Sequence, residues 1–189
     1  MSNLSDNALM LRVKDGDLDK MGLLFQRYHR PLFSFLYHMT GRSDTSEDMV
    51  QNVFYRMLKY RHSYSGEGEF RTWMYHLARN VLSDTVKQNK KSNHDDVHAL
   101  ADKIGGGLSP EVELERKQDT EMLHKAIATL SPEHREILVL SRFQELKYNE
   151  ISDILNISES TIKVRVHRAM GELRKLFLNK ANKSKANDL

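Results

Sequence analysis

The chain has 189 residues, 29% of them charged, a formal charge of +3 with a pI near 9.0, and no cysteine. That length allows one domain or two small ones, and the lack of cysteine excludes a disulfide framework and a thiolate metal site while fitting a reducing compartment. The small net charge excludes an indiscriminate DNA-coating protein, so any nucleic-acid site must be a local patch.

Met1 to Leu11 mix Asp6 and Asn7 with a few apolar residues. This is neither a signal peptide nor a membrane span, so the sequence reads as a soluble cytoplasmic protein without direct membrane insertion. From Leu18 to about Gln88 the apolar residues recur at helical spacing, as in Met21, Leu24, Phe25, Tyr28, then Leu32, Phe35, Leu36, Met39. Gly41-Arg42-Ser43 breaks the pattern, and the next stripe is Met49, Val50, Val53, Phe54, Met57, with a cap available among residues 43–46. Ser63 to Gly68 reads as an unpacked loop, followed by Phe70, Trp73, Met74, Leu77, Ala78 and Val81 on one helical face.

Composition then shifts. Residues 91–112, with Lys91, Ser92, Asn93, His94, three consecutive glycines from Gly105 and Ser109-Pro110, have the chemistry of a flexible linker. Periodicity resumes at Val112 and Leu114 and continues through Leu123, Ile127 and Leu130. Ser131-Pro132 then supplies a helix cap with proline at the first helical position. The expected fold class is all-α: two helical domains, 15–90 and 113–179, joined by the linker.

The segment Tyr148 to Arg165 is the most informative. Ile151, Ile154 and Leu155 give a short helix, Asn156 suits a left-handed turn, and Ser158 can cap a second helix. This is a helix-turn-helix. Projected at ~100° per residue, the second helix places Ile162, Val166, Ala169, Met170, Leu173, Leu176 and Phe177 on one side. The opposite side carries Ser160, Val164, His167 and Arg168, with Lys163 and Arg165 on the flanks. Such a face suits a major groove: Ser160 and Val164 let the backbone approach, and Lys163 and Arg168 reach base edges or phosphates. A lone basic helix is more often a solvated surface, but the preceding helix and turn reverse those odds. Lys180, Lys183 and Lys185 read as a disordered end or as additional phosphate contacts.

With both halves in view, the chain resembles the extracytoplasmic-function sigma factors, small members of the primary sigma family. The resemblance rests on Asp48-Met49-Val50-Gln51-Asn52-Val53-Phe54, on the run Phe70 to Asn80, and on Leu130 to Glu136 together with the helix-turn-helix. It implies that Asp48, Gln51 and Asn52 meet core RNA polymerase, although Asn52 replaces the acidic residue usual there. Asp48 can equally act by its charge at the positive end of its helix. By the same resemblance Arg71, His76, Arg79 and Asn80, with the loop from Tyr64 to Glu69, hold an unstacked base and phosphates of the minus-ten promoter element, Asn80 being the base reader. Trp73 and Phe70 read as core. The minus-thirty-five element falls to Ser160, Lys163, Val164, Arg165, His167 and Arg168. The linker, with Asp95, Asp96 and Asp102, is either a mimic of nucleic-acid charge or a tether. The resemblance also implies an anti-sigma factor as partner, and no cofactor.

Other classes fit less well. An enzyme or metal site would have to use His94, Asp95, Asp96 and His98, which lie in the least apolar stretch with no packed shell to orient them. A repressor or response regulator would share the helix-turn-helix, but a receiver would show alternating strands and helices, and residues 18–88 show helices alone. A helical adaptor with merely solvated basic faces is a third class. The reading is therefore a non-enzymatic factor that initiates transcription.

Overall fold

A computed structural model of the chain describes residues 4–91 and 121–187. Among them the secondary structure is entirely helical: α1 (Asp6–Lys14), α2 (Lys20–Thr40), α3 (Ser43–Lys59), a short 3-10 turn (Arg61–Ser63), α4 (Phe70–Lys91), α5 (residues 121–129), α6 (Pro132–Leu138), α7 (Tyr148–Leu155) and α8 (Glu159–Asn187). The expected linker and the His94–His98 cluster lie outside the described residues.

The first unit is a bundle of α1 to α4 around Leu24, Leu32, Phe35, Leu36, Val53, Met57, Met74, Ala78 and Val81, all buried. Gly41 ends α2 in the left-handed region at φ 71°, returning its N–H to the Tyr37 carbonyl, and this lets α3 fold back along α2. Ser46, fully buried in the first turn of α3, donates to the Arg42 carbonyl at 2.5 Å and lies 2.9 Å from the Thr40 hydroxyl, which fixes the corner.

Two features of this unit depart from the sequence reading. Helix α1 lies before the expected boundary at residue 15, and its Leu9, Met10 and Val13 are fully buried. A nine-residue helix whose apolar residues, Ala8 to Leu11 and Val13, are nearly consecutive carries too weak a periodicity to be seen alone. The loop at 63–68, read as unpacked, is docked on that helix. Tyr64 is 2% exposed and its carbonyl takes Lys14 Nζ at 2.6 Å. Asn7 receives the Phe70 N–H at 2.8 Å and donates to the Gly68 carbonyl at 2.8 Å, so α1 supplies the cap of α4 from 63 residues away. Gly66 sits at φ 80° with Leu11 so close that an added Cβ would meet its Cδ2 at 3.1 Å.

In the second unit Ser131 accepts the His134 N–H at 3.3 Å and Pro132 opens α6, as the sequence predicts. The chain then passes through a π-helical turn, Val139–Phe143, and a left-handed residue, Glu145 at φ 51°, before α7. Ile137, Leu138, Val139, Leu140, Ile151, Ile154, Ile162, Val166 and Ala169 form its core. Met170 and Phe177, expected on the buried side of α8, lie at its margin with 37% and 36% exposure. The helix continues to Asn187 where a disordered end was expected, in keeping with the helix propensity of an Ala- and Lys-rich tail. The two units touch: α4 packs on α7, and α2 packs on α6 and on the π turn.

Candidate nucleic-acid interfaces

The helix-turn-helix forms as its residues dictate. Asn156 adopts φ 53°, ψ 46°, the left-handed conformation that ends α7. Ser158 accepts the Thr161 N–H at 3.2 Å, capping α8, and Ser152 donates to the Ile157 carbonyl at 2.6 Å across the turn. Ile162 and Val166 anchor α8 in the core, which rotates Ser160, Lys163, Val164, His167 and Arg168 into solvent. Val164 is 49% exposed, a β-branched side chain with no structural reason to face water. Lys163, His167 and Arg168 have no hydrogen-bond or ionic partner among the described residues, whereas Arg165 is tied to Glu133 at 3.3 Å. A helix N-terminus flanked by free cations, presented proud of its own unit, is shaped to enter a groove and meet phosphates.

On α3, Asp48, Gln51 and Asn52 are exposed together and share a shallow depression with Tyr55, itself 62% exposed. Asn52 Oδ1 accepts from Arg56 Nε at 3.1 Å, and Arg56 in turn pairs with Asp84 of α4 at 2.8 Å, so this edge is braced from behind. Tyr55 was not singled out from the sequence. It lies off the Met49, Val50, Val53, Phe54, Met57 stripe, so burying that stripe turns it outward.

The α4 residues behave differently. Asn80 is exposed, but Arg71, His76 and Arg79 are half-covered by the second unit. Arg71 donates to the Gln144 carbonyl. Arg79 reaches Glu136 Oε1 at 2.7 Å and Oε2 at 3.4 Å, and its remaining nitrogen donates to the Ile154 carbonyl at 2.9 Å. His76 lies beside Asp153; burial, and then the Arg79 charge, hold its pKa below the ordinary imidazole value, with Asp153 acting in the opposite sense. Tyr75, also in this contact and buried, donates to Gln144 Oε1 at 2.7 Å, and burial keeps its phenol protonated well above the usual range. Trp73 packs against Tyr64 at 5.1 Å, as a core residue does. Tyr64, the start of the loop expected to hold a base, is buried and unavailable to one.

Among the described residues no helix is long and apolar enough to cross a membrane. None of their acidic and histidine side chains gather in threes to hold a metal.

Two family models match the chain: sigma-70 region 2 over residues 24–92 and sigma-70 region 4 over residues 120–173. The ECF RNA polymerase sigma factor SigM of Bacillus subtilis is 32% identical over 160 residues, covering 82% of this chain and 93% of that protein. The RNA polymerase sigma factor YlaC of the same organism is 29% identical over 163 residues, 83% of this chain and 91% of that one. In fold the chain is similar to the sigma factor RpoE from Bartonella quintana, solved with the anti-sigma factor NepR, at a TM-score of 0.67 and 21% identity over 82% of this chain and 95% of that one.

Proposed function

The chain belongs to the ECF group of RNA polymerase sigma factors, and on that premise we propose how its three helical faces divide the work of starting transcription. It binds core RNA polymerase and directs it to specific promoters, the first unit recognising the minus-ten element and the helix-turn-helix the minus-thirty-five element. The polymerase supplies the chemistry, so this chain acts as an initiation factor in the cytoplasm and not as a catalyst.

Units at 15–90 and 113–179, with α1 added to the first, carry these roles. On α3, Asp48, Gln51 and Asn52 meet the polymerase, and Tyr55 extends that patch with a rigid aromatic of the kind that dominates binding energy. On α4, Arg71, His76 and Arg79 hold phosphates of the separated strand, and Asn80, with a donor and an acceptor on one amide, reads a base. On α8, Ser160 and Val164 approach the groove floor while Lys163, Arg165, His167 and Arg168 hold its walls. An anti-sigma factor that covers the α3 patch accounts for control of the free chain; the pairing of RpoE with NepR supports this reading.

The observation that carries the proposal is the outward face of α8, held by a formed turn at Asn156, on which Lys163, His167 and Arg168 have no polar partner among the described residues. The test is reconstitution with core polymerase and run-off transcription on genomic fragments. Promoter-specific transcripts that require both components are expected. A chain that shifts duplex DNA tightly as a dimer, and is indifferent to polymerase, would be a repressor.

A further inference from the structure

Helix α1 carries none of the residues assigned to polymerase or promoter, yet one of its faces is turned to a single segment of the chain. Asn7, Leu11 and Lys14 follow helical spacing and share that face. Each meets the loop between Tyr64 and Phe70 at a different point. At its start Lys14 Nζ donates to the Tyr64 carbonyl at 2.6 Å, and in its middle Leu11 lies against Gly66. At its end Asn7 donates to the Gly68 carbonyl at 2.8 Å and accepts the Phe70 N–H at 2.8 Å. The helix is anchored independently of this face: Leu9, Met10 and Val13 are buried in the bundle, and Asp6 accepts from Arg27 and from the Tyr28 hydroxyl, each at 2.5 Å.

The loop has little of its own to fix it. Gly66 and Gly68 adopt φ 80° and φ 74°, and glycine is the residue that loses most conformational freedom when it is held in one shape. Inside the loop the Glu67 N–H donates to the Ser65 hydroxyl at 3.1 Å, and Ser65, Glu67, Gly68 and Glu69 all stay exposed. Apolar burial is confined to its two ends, Tyr64 and Phe70. Its rigidity is therefore borrowed from α1. A site that grips one base must hold its groups within a fraction of an ångström before the base arrives, and α1 is what holds this polar edge in place.

We infer that α1 is the positioning element of the promoter-reading loop: Asn7, Leu11 and Lys14 set residues 65–69 in the shape that receives the unstacked base, and so fix how strictly the minus-ten element is chosen. The inference rests on the assignment of that element to α4 and the loop before it. Asn7 is the central residue because one amide serves two partners, its Oδ1 capping α4 and its Nδ2 tying down the Gly68 carbonyl. The two roles separate chemically. Aspartate at this position keeps the acceptor for the Phe70 N–H, and its charge suits the start of a helix, but it has no donor for the Gly68 carbonyl and sets a negative oxygen against it. Asn7→Asp therefore loosens the loop while α4 stays capped.

The test is transcription by holoenzyme reconstituted with the full chain, from a promoter library randomised in the minus-ten element, alongside amide hydrogen exchange of residues 65–69. In the parent a wrong base at the position the loop reads should cost roughly 5- to 150-fold. Asn7→Ala and Asn7→Asp should both shrink that ratio to about threefold or less, speed exchange through the loop and keep the parent's preference in the minus-thirty-five element. Lys14→Met, which keeps an apolar stem and gives up the Tyr64 carbonyl, should act in the same direction by a smaller factor. Arg12→Ala, exposed on the far side of α1, should match the parent. The double variant Glu67→Ala/Glu69→Ala probes the loop directly. If it alters minus-ten preference while Asn7→Ala and Asn7→Asp do not, positioning by α1 is refuted and the loop keeps its assignment. If Asn7→Asp matches the parent while Asn7→Ala does not, or if both lower transcription evenly from all promoters, Asn7 only caps α4 and the inference fails. If no variant changes minus-ten preference, the loop variant included, the loop does not read the base, and its assignment falls together with the inference.

Discussion

Replacing Arg168 by alanine separates groove reading from backbone holding on α8. Arg168 is exposed and forms no ion pair among the described residues, so its loss removes nothing from the folded chain and stability should stay within ~0.5 kcal/mol. If the guanidinium holds one phosphate, its removal lowers the slope of log affinity against log salt by about 0.9. Between about 50 and about 200 mM salt, a fourfold change, the mutant then loses roughly 3.5-fold less affinity than the parent, uniformly across promoter sequences. If Arg168 reads a base instead, the salt slope is kept and discrimination at one position falls by ~1–3 kcal/mol, roughly 5- to 150-fold. Arg165 provides an internal comparison: it must first leave Glu133 at 3.3 Å, an exposed pair worth about 0–1 kcal/mol, so Arg165→Ala should cost less than Arg168→Ala. The assay is transcription by reconstituted holoenzyme from a library randomised in the upstream element, run at both salt concentrations. Unchanged slope and unchanged sequence preference in Arg168→Ala, together with full activity of Val164→Arg, would show that this helix does not lie in the groove.

Asn156→Gly should leave thermal stability nearly unchanged, because φ 53° suits glycine, whereas Asn156→Val should cost ~1–2 kcal/mol or more and weaken promoter binding by misdirecting α8; differential scanning calorimetry and the same transcription assay read the two effects. Asp48→Arg and Gln51→Ala should preserve helix content, since both are exposed, while weakening polymerase capture in a pull-down, and Tyr55→Ala should do the same by at least ~1 kcal/mol if the aromatic is an anchor. His38, buried between the Phe143 and His124 rings at 4.3 and 4.4 Å, has its pKa lowered to about 4 by burial and then by His124 and Arg135. The folded value lies below the unfolded one, so the contribution is complete above the unfolded value and is lost as pH falls toward the folded one, where the unfolded chain binds the extra proton. Denaturant titrations should therefore show up to about 3 kcal/mol lost between about pH 6.5 and about pH 4, and His38→Phe should flatten that limb; an equally steep acid limb in the variant would refute the role of His38.

Much of this architecture is legible in the sequence because the signals are local. The left-handed Asn156, the Ser131-Pro132 start of α6 and the stripes of α2, α3 and α4 each depend on residues within one or two turns of one another. What escaped depends on contacts across the chain. Helix α1 is held by the docking of Asn7 onto the start of α4 and of Leu11 onto Gly66, and neither end of those contacts announces the other. The burial of Tyr64 has the same cause, since a glycine-rich loop reads as solvated unless a helix is known to lie beneath it. Tyr55 was missed for another reason: its place off the apolar stripe turns it outward, but an exposed tyrosine carries no local signal of a partner.

The α4 residues show where such reading reaches its limit. A sequence assigns a cation to a face, but the partner of that cation depends on which of two oxygen-rich surfaces is present. Arg71 and Arg79 are satisfied internally, so under the proposed assignment their net contribution to strand binding would be the difference between two similar sets of charge-assisted hydrogen bonds. Under that assignment alanine at Arg79 would remove a strand contact and a contact between the two units together, and the two losses would act in opposite directions on apparent affinity. A small measured effect of Arg79→Ala would be the expected sum and no argument against either role. Glu136→Gln removes only the charge from the contact between the units: it should increase strand binding modestly while leaving Arg79 in place to make it, and a fall in strand binding on this substitution would mean that Glu136 supports the α4 face and does not compete for it.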